Sequence, residues 1–284
     1  MTPTAPARTH SARHLLHGLA LCLVGLVFAL PMLMLLLAPL RPPGLPPPLR
    51  LFDLWPAEPS LRALRDAFTL VPLGRAVWNS TWVCLLAVPV TLVTASGGGL
   101  ALVLLQGRAR TALAGLLLVL AMVPLTAIWI PRFAMFNALG MVGTHLPLLA
   151  PALMGGSPIF VLLYYVAMRR IPTEMLEAAR LEGAGLMRIW WRVVMPLVKP
   201  TSAAIALLTV VLFWGNFIDP LLYLRREQQL TAPPMLHALE LLGPTNWSVF
   251  LAGALVVTLP VALAFLVAQR FLLASERGAG WLGR

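Results

Sequence analysis

Charge is scarce in this chain, and lysine is almost missing from it. Only 11% of the 284 residues are charged, and Lys199 is the sole lysine. That lysine sits between Val198 and Pro200, so no G-x-x-x-x-G-K-[ST] loop exists, and if ATP is used the nucleotide is expected on another chain. Cysteine is down to Cys22 and Cys84, both in apolar runs, which excludes a disulfide framework and a thiolate metal site; both are expected as small core residues. The five histidines pair with neither acids nor cysteines at ligand spacing, and His14 and His17, one helical turn apart, read as interfacial. No Ser/His/Asp set, Cys/His set or carboxylate cluster is readable. The chain is therefore expected to be no enzyme, with no metal and no cofactor.

The scarcity of charge also excludes an ordinary soluble domain, because 60% of the residues are hydrophobic. The net charge of +11 points to nucleic acid only where a folded soluble domain offers a basic face, and none is available. What remains is membrane topology. Uncharged runs cover residues 14–40, 76–107, 111–131, 133–168, 200–218 and 241–269, and a helix needs about 20 residues to cross the hydrocarbon core. The sequence predicts an all-α membrane protein with six spans in contact with lipid. The helix of the 133–168 run is placed at 149–168. Arginines bias the loops modestly towards an inside N-terminus, inside loops at 106–111 and 169–200, and an inside C-terminus.

Along the chain, residues 1–13 read as a loose tail. The apolar run of about 15–39 is too long for a signal peptide and lacks a small-residue cleavage site, so it reads as a retained helix. Residues 41–48, RPPGLPPP, should be extended, and 61–68 should form a short surface helix. Ser96-Gly97-Gly98-Gly99 reads as a site of close helix packing rather than a phosphate loop, since it lies inside a span. Pro124 and Pro131 should kink the third span, and Asn137 to Thr144 should turn. Gly155-Gly156-Ser157-Pro158 should interrupt the fourth span, which membranes tolerate only where the backbone is buried or lines a water path.

One polar stretch, residues 169–200, stands apart. Pro172 suits a first helical turn, and Glu174 and Glu177 suit the positive end of a helix. Gly183 can supply the positive φ that ends it. A second run, 186–195, carries Met187, Trp190, Trp191 and Val194 between Arg188 and Arg192, ahead of Pro196. The pattern Glu177-Ala178-Ala179, three residues, Gly183, nine residues, Val193, one residue, Met195-Pro196 resembles the EAA loop of ATP-binding-cassette importer permeases. Val193, Met195 and Glu182 stand where Ile, Leu and Asp are usual. Trp78-Asn79-Ser80 resembles the start of the permease core of sugar importers. The stretch Trp214-Gly215-Asn216, with Asp219 beyond it, resembles the Trp-Asn-acid stretch of maltose-type permeases in a looser order. The tail 276–280 resembles the family's short C-terminus.

The resemblance runs from residue 72 or so to the end and implies a binding-protein-dependent (MetI-like) permease fold, with a core at 72–284 preceded by a tail, first helix and Pro-rich segment at 1–71. It implies a carbohydrate importer subunit in a bacterial inner membrane. The implied partners are two copies of an ATPase subunit, a second homologous permease and an extracytoplasmic solute-binding protein. Glu174, Glu177, Ala178, Ala179, Gly183, Met187 and Pro196 are the implied coupling residues. Trp214, Asn216, Asp219 and Ser157 are candidates for the substrate path. A non-sugar importer, for a polyamine or glycerol phosphate, and an ion-coupled secondary transporter are the alternatives. The latter should carry ionisable groups within its spans, and only Asp219 comes near that.

Overall fold

The computed structural model describes the backbone of residues 9–48, 55–56 and 58–279, with side chains between residues 18 and 270. His14, His17 and the tail from residue 271 thus have side chains outside the described ones. All regular structure among the described residues is helical. By internal contacts the chain divides into two units, residues 1–71 with 238–256, and residues 72–237 with 257–284.

The first unit starts with α1 (Thr9–Leu37), which runs into a 3-10 turn at Ala38–Leu40. Its apolar side chains, Leu21 and Phe28 among them, lie exposed, as does Cys22. Exposure of Cys22 departs from the expected core position; a helix apolar all round, with no described residue covering this stretch, presents its sides to lipid. The Pro-rich residues 41–48 form no helix, as expected. They are fastened at Gly44, whose N–H donates to the Thr245 carbonyl at 3.0 Å, and at Leu45, whose carbonyl accepts from the Trp247 indole at 2.9 Å. Arg41 lies 5.7 Å from the same Trp247 ring. The expected surface helix is α2 (Arg62–Thr69), which buries Ala63 and Ala67 four residues apart, one face of a helix.

The second unit is organised on α3 (Leu73–Leu104). It continues through α4 (Gly107–Met122), α5 (Leu125–Ala138), α6 (Leu146–Leu153), α7 (Pro158–Met168) and α8 (Thr173–Leu181). Then come α9 (Leu186–Leu197), α10 (Lys199–Trp214), α11 (Ile218–Tyr223), α12 (Ala232–Glu240) and α13 (Trp247–Ala279); the last two also lend residues to the first unit. Helix α3 packs against α6, α7 and α10. The small-residue run makes the contact with α7 possible. A Cβ on Gly99 would fall 2.6 Å from the Tyr164 Cβ and 3.0 Å from the Tyr165 nitrogen, and one on Gly98 3.0 Å from a Val161 methyl. Close packing, the expected role of this run, is what it does. Tyr164, fully buried, then donates from its hydroxyl to Ser202 Oγ at 2.9 Å and ties α7 to α10.

Four segments are each long and apolar enough to cross a membrane: Gly18–Leu40, Leu73–Leu104, Leu146–Met168 and Pro244–Arg270. Two further segments pass that test as bent pairs, α4 with α5 at 95° and α9 with α10 at 84°. Counting each pair as one crossing gives the expected six. The third crossing differs in detail from its sequence reading. The anticipated kink at Pro124 is a complete break, because Pro124 has no N–H to continue the ladder, whereas Pro131 stays inside α5. The fourth is interrupted as expected. Gly155 and Gly156 take φ of 83° and 71°, and Thr94 donates to the Ala152 carbonyl at 2.7 Å, covering backbone that the break would leave bare.

Candidate functional site

Two places bring the predicted residues together. The first is the polar stretch. Helix α8 starts after Pro172, has Glu174 in its first turn and ends at Glu182. Gly183 follows with φ +78°, the left-handed conformation that its neighbours could adopt only under strain. The N–H groups of Gly183 and Ala184 return to the carbonyls of Arg180 and Ala179 at 2.9 and 3.0 Å, closing the helix end. The chain then reverses into α9, where Trp190–Val194 form a π turn. Such turns inside α-helices are frequent at functional positions.

Helix α8 has two faces. Leu176 and Ala179 pack on the core formed by α3, α7 and α10. Glu174, Glu177, Ala178 and Arg180 are exposed. The two alanines therefore diverge: consecutive residues lie about 100° apart around a helix, so only Ala178 is on the free face. Large apolar residues at the end of α8 and on α9 are bare as well. Leu181 is 91% exposed, Met187 71% and Trp191 61%; Pro196 is exposed too. A surface that mixes carboxylates, arginines and large bare apolar side chains has the composition of a protein contact.

The second place is the corner after α10. Trp214 is buried and donates from its indole to the Val257 carbonyl at 3.0 Å. It also lines an open apolar cavity of ≈ 390 Å³ with Thr81, Leu85, Val88 and Pro260. Gly215 ends α10 and α11 begins afresh at Ile218. The inserted glycine thus sets Asn216 and Asp219 at a new helix start. There the Asp219 N–H donates to Asn216 Oδ1 at 3.2 Å and Asn216 Nδ2 donates to Asp219 Oδ2 at 3.1 Å. Asp219 is buried against protein, and its carboxylate accepts from Arg132 at 3.1 and 3.5 Å. Arg132 lies 5.8 Å from the Tyr223 ring and 6.0 Å from that of Phe136. Burial pushes the Tyr223 phenol above its ordinary range, Arg132 pulls it down, and Asp219 adds to the rise.

Ser157 is not part of this group. Its hydroxyl accepts from the Ile159 N–H at 3.4 Å and caps α7.

Sequence reasoning missed Arg132, which pairs with a residue 87 positions away. It also missed how firmly the loop before α12 is held. Asn79 donates to the Gln228 and Leu230 carbonyls, both at 2.9 Å, and Ser80 accepts from the Ala232 N–H at 2.8 Å. The Gln229 side chain donates to the Gly143 carbonyl at 2.8 Å. The Asn79-Ser80 pair carries the signal that could have found this: a polar pair inside an apolar helix is a sign of buried partners.

Helices broken at proline and glycine around one long packing helix, with a polar hairpin of short helices leading into a span, define a multi-pass membrane transport subunit. Residues 66–276 match the family described as binding-protein-dependent transport system inner membrane component, and the chain belongs to that family. It is 29% identical to the arabinooligosaccharides transport system permease protein AraQ of Halalkalibacterium halodurans, over 72% of this chain and 73% of that one. It is 26% identical to the lactose transport system permease protein LacG of Rhizobium radiobacter, over 72% and 74%. Its fold is similar to a chain of a bacterial ABC transporter involved in the import of the acidic polysaccharide alginate, with a TM-score of 0.75 and 21% identity over 95% of this chain and 99% of that one. These relatives are transport subunits rather than enzymes.

Proposed function

We propose that this chain is a permease subunit of an ATP-binding-cassette importer that carries a carbohydrate. With a second, homologous permease it forms the translocation path, and it couples that path to two copies of an ATPase subunit. An extracytoplasmic binding protein delivers the solute. The observation that carries the coupling is the exposure of Glu174, Glu177, Ala178 and Leu181 on α8 and of Met187 and Pro196 on α9. Gly183 holds the turn that returns the chain to the membrane. Ala179 serves from behind, seating α8 on its own core. The carbohydrate rests on what the relatives are named for. Trp214, at its open cavity, faces the path, and Asn216, Asp219 and Ser157 shape the backbone around it. Residues 72–284 are the working core and 1–71 an added helix and external segment.

The solute class is tested by isolating the intact complex with its binding protein and identifying the retained small molecule by mass spectrometry. A mono- or oligosaccharide is expected. A polyamine or glycerol phosphate would overturn the carbohydrate while leaving the importer.

The proposed orientation places both termini and the coupling hairpin in the cytoplasm. A reporter fused after Arg284 is expected to behave as cytoplasmic and one inserted near Pro47 as external. An external C-terminus would refute this orientation.

A further inference from the structure

We infer that the ion pair between Arg132 and Asp219 fastens α5 to the corner after α10 and carries movement between them, which makes Arg132 a positioning residue for transport. The inference rests on the importer reading above.

Beyond Phe133 and Phe136, which meet the Tyr223 ring of α11 at 6.4 and 5.3 Å between centroids, helix α5 is weakly held. Its ladder is severed from α4 at Val123 and Pro124, with a 95° turn between them. Of its own residues it buries only Phe136. The bonds from Arg132 to Asp219 join α5 to a residue 87 positions further along the chain. The two side chains are 16% and 9% exposed. The pairing is also conspicuous in the sequence. Arg132 is the single charge between residues 111 and 168, and Asp219 the single charge between 200 and 224. Two charges isolated in apolar surroundings have each other as the available counter-charge, and a bidentate guanidinium–carboxylate contact fixes orientation as well as distance.

Both ends of the pair are braced. Asn216 grips Asp219 from side chain and backbone at once. Arg132 lies near Phe136 and Tyr223, and Phe133 stacks on Tyr223 with centroids 6.4 Å apart. Asp219 is thus fixed to the corner rather than free to follow α5. That corner is continuous with α10, which follows α9 and its exposed coupling face across the 84° bend. A displacement of α9 by a partner reaches the corner through the chain itself, and reaches α5 through the ion pair. Spatial continuity alone does not establish coupling, so the test must separate a working tie from a merely structural one.

The experiment uses the intact complex in lipid vesicles and compares wild type with Arg132→Met, Asp219→Asn and the exchange Arg132→Asp/Asp219→Arg. Hydrogen exchange is read over 125–138 and 199–214, and ATP hydrolysis with and without the binding protein. Asp219→Asn keeps the shape of the side chain and its bond to Asn216, so it serves if Arg132→Met does not assemble. In both single variants, exchange over 125–138 should be at least tenfold faster with 199–214 within twofold of wild type. Stimulation of ATP hydrolysis by the binding protein should fall at least threefold, and the charge exchange should restore most of both. Unchanged exchange over 125–138 overturns the fastening. Faster exchange with full stimulation overturns the positioning role, as does an exchanged pair no better than the singles. A wild-type complex that the binding protein does not stimulate would instead refute the importer reading, and this inference with it.

Discussion

Gly183→Val is expected to leave the subunit in the membrane and detach or uncouple its ATPase. A Cβ at Gly183 would meet nothing within 4 Å, so crowding is not the cause. The cause is the backbone: φ is +78°, and the left-handed region costs an L-residue about 1–2 kcal/mol, more when the side chain is β-branched. The turn must then open, and α8 leaves the angle at which it is presented. Glu177→Ala acts on the same surface by a different route. If Glu177 meets a basic residue in a desolvated contact, its removal costs about 2–5 kcal/mol, because the partner charge remains buried. That corresponds to roughly 30-fold or more in affinity. Co-purified ATPase and transport per subunit should both fall in the two variants, and Gly183→Ala should be milder than Gly183→Val. Arg108→Ala, at an exposed position of α4, is the control, because Arg110 itself donates to the Val103 and Leu105 carbonyls. Wild-type transport with a retained ATPase in both variants would make this hairpin an ordinary solvated connection.

The second large effect concerns stability. Gly99→Leu should prevent α3 and α7 from closing on one another, with loss of folded subunit from the membrane. Even a single carbon there would lie 2.6 Å from the Tyr164 Cβ and 3.2 Å from its carbonyl carbon. Those atoms belong to the helix itself and cannot swing aside. Overpacking typically costs about 1–3 kcal/mol where side chains can adjust, and the absence of adjustment here puts Gly99→Leu at or above the top of that range. The three glycines of the run give an internal scale. A Cβ at Gly97 meets nothing within 4 Å, whereas one at Gly98 meets a Val161 methyl at 3.0 Å. Thermal unfolding of detergent-solubilised subunit should therefore rank Gly97→Ala near wild type, Gly98→Ala lower and Gly99→Ala lowest. Equal midpoints for the three would remove close packing as the reason for the run.

The features legible in the sequence are those whose cause is local. Spans show as uncharged runs because each helix must satisfy its backbone alone in lipid. The breaks at Pro124 and Gly155-Gly156 show because proline and glycine act on their own backbone. The hairpin at 169–200 shows because it is polar in an apolar chain and its spacing is short-range. The features that stayed hidden depend on distant partners. Nothing near Arg132 announces Asp219. Ala178 and Ala179 read alike, and only the packing of α8 on its core distinguishes them. Cys22 looks like Cys84 until one is found exposed and the other buried. Gly215 looks like a flaw in the Trp-Asn-acid order, but it ends one helix so that Asn216 can brace the start of the next.

The sparse attachment of α5 bears on how such a subunit diversifies. A helix that buries one aromatic residue and is anchored by one pair of charges and by Phe133 and Phe136 against Tyr223 places few demands on its remaining side chains. Apolar-for-apolar substitutions along its other sides disturb no core of this subunit, so such drift meets little penalty from folding. Around Gly99 the opposite holds, since no single replacement fits. Selection for new cargo or a new neighbour can therefore rewrite α5 piecemeal, whereas α3 and α7 must change together or not at all.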